Sequence, residues 1–226
     1  RETLINTLST PCCTLYHSKF PIMPQYKLTY FNAETARMLF VLADQDFEDV
    51  RIEREQWPAL KPNTPFGQLP MLTVDGTQIS QTMAIYRFLA KEFGLSGSNN
   101  VQQGVADMIV ECFRDVQTGL MGVRRESDEA KKAEALAKFT ESAPDQLDKI
   151  TKFLGENNFF LGDNISFVDI IFFNLAPVFK MVGAEAVFDA QPKLKALVDR
   201  VASNDKIAAW IKRRPVTEML RQYTDI

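Results

Sequence analysis

The segment LPMLTVDGTQIS (residues 69–80) restricts this chain more than any other. Its two short runs, LPMLTV and TQIS, have strand character and flank Asp75-Gly76, a turn pair that commonly closes a two-residue hairpin. The residues upstream supply a sheet for such a hairpin to join. In YKLTYF, Tyr26, Leu28 and Tyr30 alternate with Lys27, Thr29 and Phe31, the period-2 signature of a strand. Ala33 to Ala43 then carries Ala36, Leu39, Phe40 and Ala43 at helical spacing, and DFEDVRI (46–52) reads as a second strand. Trp57, Pro58, Pro62 and Pro65 mark a long irregular connection to the hairpin, after which Ile85, Phe88 and Leu89 continue as one more helix. The order β-α-β, loop, β-β-α within about eighty residues has the size of a small α/β unit.

That unit resembles a thioredoxin-like domain. A Gly/Ser/Asn-rich bridge, GLSGSNN (94–100), separates it from a remainder in which only helical periodicity appears. The expected fold is therefore an α/β N-terminal thioredoxin-like domain followed by an all-α helical C-terminal domain. The expected boundaries are a disordered extension over 1–22, the α/β domain over 23–93, the linker over 94–100, the helical domain over 101–215 and a tail over 216–226. Val101, Val105, Met108, Ile109, Phe113, Val116 and Leu120 define one long amphipathic helix. Leu136, Phe139, Ala143, Leu147, Ile150 and Leu154 define a second, which Pro144 is expected to kink. Further helices are expected over 166–181, 191–203 and 205–213. Ser166-x-x-Asp169, between Ile165 and Ile170, reads as a structural capping box with a hydrophobic staple.

Composition narrows the function classes. A formal net charge of -3 and a pI near 5.4 offer no attraction to phosphate backbones or anionic lipid, so neither nucleic acid nor a membrane is an expected partner. No apolar stretch approaches the roughly 20 residues that span a bilayer, and a cytoplasmic location is expected. Cys12, Cys13 and Cys112 form no CxxC pair or disulfide framework, which suits a reducing compartment. With His17 as the only histidine, histidine-based triads and His-rich metal sites are excluded and no metal is expected.

Four segments carry the chemistry: Tyr30 in YKLTYF, Trp57 and Lys61 in EQWPALK, PFGQLP at 65–70, and SQT at 80–82. A proline opening a strand cannot donate to the ladder, so Pro70 marks an edge position, a cis bond or a plain turn. SQT precedes a helix start, where free amides and the positive dipole end favour an anion, although Ser80 or Thr82 serves equally as a cap. Gly67 allows close approach of backbone to a ligand.

In order and approximate spacing these segments resemble glutathione transferases, nearest to the sigma class that includes glutathione-dependent prostaglandin D synthases and many invertebrate enzymes. The resemblance runs from about Met23 to WIKRRP (210–215). It implies that glutathione is the co-substrate, with no prosthetic group. It further implies that Tyr30 is catalytic, its hydroxyl holding the glutathione sulfur as a thiolate. By the same resemblance Trp57 and Lys61 meet the glycyl end, Gly67 and Gln68 form the floor, and Leu69 before a cis Pro70 pairs with the cysteinyl backbone. Gln81 and Thr82 would take the γ-glutamyl carboxylate, and Asp115 would reach across a homodimer interface to the glutathione amine. The implied reaction is detoxifying conjugation to small hydrophobic electrophiles. A weakly active or non-catalytic glutathione- or hydrophobic-ligand-binding relative, a prostaglandin isomerase and a structural role are the alternatives.

A free thiol near pKa 8.5 is only a few per cent ionised at neutral pH, and lowering it by about two units takes roughly 2.7 kcal/mol. One hydrogen bond to a charged group contributes about 1.5–3 kcal/mol, so a single tyrosine hydroxyl suffices for most of the effect. The chain departs from the family where Asn32 runs directly into Ala33-Glu34. About four residues of a glycine- and arginine-bearing loop are absent, including the arginine placed beside the tyrosine hydroxyl. Gly122 stands near the place of a tryptophan lining the prostaglandin pocket, and Arg114 interrupts an acidic cluster that binds a divalent ion. Met108, Met121 and Val123 are candidates both for an apolar pocket and for plain core.

Overall fold

The computed structural model describes residues 24–31 and 33–215. The expectations for 1–22 and 216–226, and the placement of Asn32, Cys12, Cys13 and His17, lie outside the described residues. The first unit is β1 (Tyr26–Tyr30), α1 (Thr35–Leu42), β2 (Glu48–Arg51), a short α2 (Trp57–Leu60) with a 3-10 turn at Lys61–Asn63, β3 (Met71–Val74), β4 (Thr77–Ser80) and α3 (Thr82–Glu92). The sheet order is β2-β1-β3-β4, with β1 parallel to β2 and antiparallel to β3. A parallel pair needs a crossover and α1 supplies it, while the Asp75-Gly76 turn closes β3 onto β4 with Met71 opposite Ser80 and Val74 opposite Thr77. This is a thioredoxin-like arrangement with a mixed four-stranded sheet.

Where the sequence reads a long irregular connection, the chain forms α2 and the 3-10 turn. Pro58 and Pro62 stand at the first helical positions, where a missing N–H costs nothing. Leu28, Leu39, Phe40, Ile85 and Leu89 are buried between sheet and helices, and Tyr26, Phe40, Phe47 and Phe93 pack ring against ring beside them.

The helical part comprises α4 (Asn100–Arg125), α5 (Glu129–Leu154), α6 (Phe167–Met181), α7 (Glu185–Asp189), α8 (Pro192–Ala202) and α9 (Asp205–Arg213). The Asn99 side chain accepts from the Gln102 amide and so starts α4 at the end of the GLSGSNN bridge. α5 remains helical through Pro144, and α6 through Pro177. The apolar α6 is the centre: Phe172 and Phe179 lie among Phe113, Phe160, Phe139 and Phe188 from the surrounding elements. Among the described residues no helix is long and apolar enough to cross a membrane.

The two parts share polar ties as well as packing. Trp210 Nε1 on α9 donates to Glu34 Oε2 at 2.7 Å, and Arg51 Nη1 on β2 meets Glu34 Oε1 at 2.9 Å. Lys206 on α9 donates to the Leu42 carbonyl at 2.8 Å and to Asp44 at 2.5 Å, capping the end of α1.

The capping box at the start of α6 forms. Asp169 is fully buried and accepts from the Ser166 amide at 2.8 Å, the Ser166 hydroxyl at 2.6 Å and the Phe160 amide at 2.9 Å. Burial pushes its carboxyl up to about 6, against the hydrogen bonds that pull it down. Asp169→Ala leaves three buried donors unpaired, and a loss of about 3 kcal/mol or more is expected in denaturant unfolding.

Candidate functional site

The carboxyl-terminal end of β1 opens on a cavity of about 1200 Å³, walled on one side by the α/β unit and on the other by α4, α6, α8 and α9. Tyr30 reaches it as the last residue of a strand held on both sides, its partners being Arg51 on β2 and, through Thr29, Met71 on β3. Burial raises the phenol above its ordinary range, and the Thr82 side chain and the positive charge of Arg37 offset only part of that rise. At neutral pH the group is therefore a neutral O–H donor.

Arg37 is the buried cation whose charge acts on Tyr30. It is fully enclosed, contacts Asp49 Oδ1 at 2.8 Å through both Nε and Nη2, and donates through Nη1 to the Ala33 carbonyl at 2.5 Å. It thereby fixes the start of α1 immediately after the short connection from β1. Asp49 Oδ2 accepts from Arg51 Nε at 2.9 Å, and Arg51 passes the chain of charges on to Glu34.

Gln81 and Thr82 face the same cavity at the amino-terminal end of α3. Gln81 adopts φ 75°, ψ 121°, left-handed backbone that costs a non-glycine residue of order 1–3 kcal/mol. Its side chain makes no cap to the helix and instead donates to Gln68 Oε1 at 3.2 Å, so the first α3 amides have no cap from it. The Leu69-Pro70 peptide is cis, two residues ahead of the β3 register. Gly67 has φ 61°, and a Cβ there would come within 3.3 Å of Lys61 Cε, which sets the two side by side. Trp57 packs edge-on to Phe31, which neighbours Tyr30.

Nine of the ten expected residues belong to the α/β unit, where Trp57 is joined to Tyr30 through Phe31, Gly67 lies by Lys61 and Gln81 meets Gln68, and of the ten only Tyr30, Gln81 and Thr82 line the cavity. Asp115 is not brought to it: it is exposed on α4 and absent from the wall that Arg114, Gln117 and Thr118 form. Of the three apolar candidates, Met121 lines the cavity, Val123 is core, and Met108 is exposed outside it. Gly122 also lines the cavity, and Arg114 pairs with Glu111 at 3.0 Å. Among the described residues no group of three or more His, Cys, Asp or Glu is placed to hold a metal.

Two lining residues escaped sequence reasoning. Tyr86 is buried on α3, its phenol driven well above the usual range by burial and by Tyr30. Glu34 is almost wholly buried. Tyr86 follows Ile85 and precedes Leu89 on the apolar side of the helix, a visible signal of burial but not of the cavity. Glu34 has no signal in the local pattern.

Residues 25–91 match the family model "Glutathione S-transferase, N-terminal domain", and residues 114–214 match "Glutathione S-transferase, C-terminal domain". A hematopoietic prostaglandin D synthase of Gallus gallus is 39% identical over 201 residues, covering 86% of this chain and 99% of that protein. Glutathione S-transferase S1 of Drosophila melanogaster is 35% identical, covering 88% of this chain and 82% of that protein. The crystal structure of monomeric Na-GST-3, a glutathione S-transferase from the hookworm Necator americanus, superposes with a TM-score of 0.74 at 34% identity, over 86% of this chain and 99% of that one. Together with the fold, the cis Leu69-Pro70 bond and the paired α/β and helical parts, these likenesses establish that the chain belongs to the glutathione S-transferase family.

Proposed function

We propose that the chain is a cytoplasmic glutathione transferase that conjugates glutathione to small hydrophobic electrophiles, with Tyr30 as the catalytic donor. The observation that carries this reading is a neutral tyrosine hydroxyl at the end of a central strand, facing a cavity beside the amino-terminal end of α3. Glutathione would lie along the α/β surface: glycyl end at Trp57 and Lys61, cysteinyl backbone on Leu69 before Pro70, γ-glutamyl carboxylate at Gln81 and Thr82. Gly67 and Gln68 would form the floor beneath it. A volume of about 1200 Å³ exceeds the 300–1,000 Å³ usual for one ligand, leaving room for a second, apolar molecule against Met121 and Phe173.

In the chemical step the thiolate held by the Tyr30 O–H attacks an electrophilic carbon, and as the S–C bond forms the leaving group, chloride in a chlorinated nitrobenzene, departs with the electrons of its bond to that carbon. The tyrosine is a donor and not a base, since its raised pKa keeps its proton in place.

A second reading has a specific observation in its favour. Asn32 runs directly into Ala33-Glu34, so the arginine that the family places beside the tyrosine hydroxyl is absent. A protein whose hydroxyl is not aimed at the sulfur binds glutathione without activating it. Measuring glutathione affinity beside conjugation of a chlorinated nitrobenzene separates the two. In the transferase, Tyr30→Phe lowers kcat/KM about 10- to 100-fold with glutathione affinity nearly unchanged. Equal rates in wild type and variant would sink the Tyr30 mechanism.

The pH profile follows from the same direction of shift. Because the Tyr30 phenol titrates above its normal value near 10, conjugation should rise through one ionisation, that of bound glutathione, below the free-thiol value of about 8.5. It should show no alkaline loss below about pH 10. A descending limb near pH 8 to 9 would contradict a tyrosine held in its protonated form.

A homodimer is proposed on the exposure of Phe66, and of Val101, Val105 and Met108 at helical spacing on α4. Exposed Asp115 lies on α4 as well, and a partner subunit is what would carry it to a glutathione amine. Sedimentation of the full chain is expected to give twice the monomer mass, and Val105→Glu combined with Met108→Glu to give a monomer.

A further inference from the structure

Conjugation through Tyr30 leaves a second tyrosine of the cavity wall, Tyr86, without a role. Tyr86 is only 7% exposed and stands on α3 one turn beyond Thr82. Residues four apart share a helix face, and a long helical side chain leans back toward the amino-terminal turn, so the Tyr86 ring is directed to the end of α3 where Thr82 meets Tyr30. The two phenols are near enough for Tyr30 to act on Tyr86 electrostatically, and the positive charge of Arg37 acts on both. Tyr30, Thr35, Thr82 and Tyr86, four hydroxyl side chains from β1, α1 and α3, line one end of the same cavity.

A buried phenol calls for a hydrogen-bond partner, and the side chain beside this one is another hydroxyl, that of Thr35. A hydroxyl donates as readily as it accepts, so the Tyr86 proton is not committed to it. The carboxylates of the wall, Glu34 on α1 and Asp199 on α8, are not among the groups that act on Tyr86, and Arg114 on α4 is paired with Glu111. Burial drives the phenol well above its usual range, so Tyr86 keeps its proton at neutral pH and is available as a donor. A thiolate taken out of water has more than one lone pair to satisfy, and a single donor leaves the rest of its charge uncompensated.

We propose that Tyr86 is a second catalytic donor, its O–H directed at the glutathione sulfur, so that the thiolate lies between one hydroxyl from the strand and one from the helix. The proposal rests on the transferase reading and adds a residue to it. The thiol proton passes to bulk water when glutathione binds, and neither tyrosine gives up its own. Both bonds weaken as the S–C bond forms and the sulfur loses its charge, so the two donors set how much thiolate is present rather than where the electrophile sits.

Tyr86→Phe removes the hydroxyl and keeps the ring. Ultraviolet absorption of the bound thiolate, followed against pH in the full chain, should place the ionisation of glutathione about one pH unit higher in Tyr86→Phe than in wild type. It should lie higher again in the double variant with Tyr30→Phe than in either single one. With a chlorinated nitrobenzene, kcat/KM of Tyr86→Phe should be about tenfold down at pH values below the ionisation and approach wild type above it. S-methylglutathione has no thiol to ionise and should bind wild type and variants alike within about twofold, which damaged packing would not allow. A thiolate titration unmoved by Tyr86→Phe overturns the second donor and leaves the transferase reading standing. So does a shift that disappears in the Tyr30→Phe background, since Tyr86 would then act through Tyr30, and so does a loss of S-methylglutathione affinity as large as the loss in rate. Wild type that binds glutathione without forming thiolate near neutral pH overturns the transferase reading, and the second donor with it.

Discussion

Burying a carboxylate is costly unless opposite charge and hydrogen-bond donors come with it, and Glu34 is buried. Its compensation is drawn from three places: Arg51 on β2, the indole of Trp210 on α9, and Arg214 just beyond α9 at 4.0 Å. Satisfying this one side chain therefore requires the sheet, the start of α1 and the last helix to be in place together. Removing either partner strands a charge in the interior, so the two parts of the chain are tied by more than apolar contact. Asp49 extends the same chain of charges to Arg37, which in turn holds the Ala33 carbonyl. The first turn of α1, and with it the approach to the cavity, hangs on this network.

The cavity is a product of both parts. The α/β unit brings Tyr30, Gln81 and Thr82, groups that suit the polar and reactive ends of a tripeptide thiol. The helices bring apolar side chains and the exposed cations Arg124, Arg125 and Lys212. The same division holds for strain: the left-handed backbone at Gln81 sits on the α/β side, between the end of β4 and the start of α3.

The strands and the β3–β4 hairpin could be read from alternation in YKLTYF and from the Asp75-Gly76 turn, because strand period and turn chemistry are local properties, whereas the order β2-β1-β3-β4 is not local. The long helices were legible for the same reason, down to the Ser166 and Asp169 box at the start of α6. α2 was not, since prolines at its first turns look like a loop although they fit a helix start. Nor was α7, whose five residues are too few to show a period. Within the site, Tyr30, Gln81 and Thr82 were found through motifs and do face the cavity, whereas Asp115 does not within a single chain. Glu34 was invisible because the partners that make its burial tolerable come from 17 and 176 residues away. Arg124, Arg125 and Lys212 look like ordinary helix-end charges until two helix ends converge.

The connection from β1 to α1 has a mechanical meaning. Tyr30 and Glu34 are four residues apart, a separation of backbone that can extend to at most about 14 Å. One end is fixed in the middle of a sheet and the other is bolted to α9. A longer loop would act as a soft spring, letting the last helix shift while the tyrosine stayed where it was. Only three residues, Phe31 to Ala33, lie between the two anchors, so the tyrosine at the strand end and the last helix are joined through one short stretch of backbone.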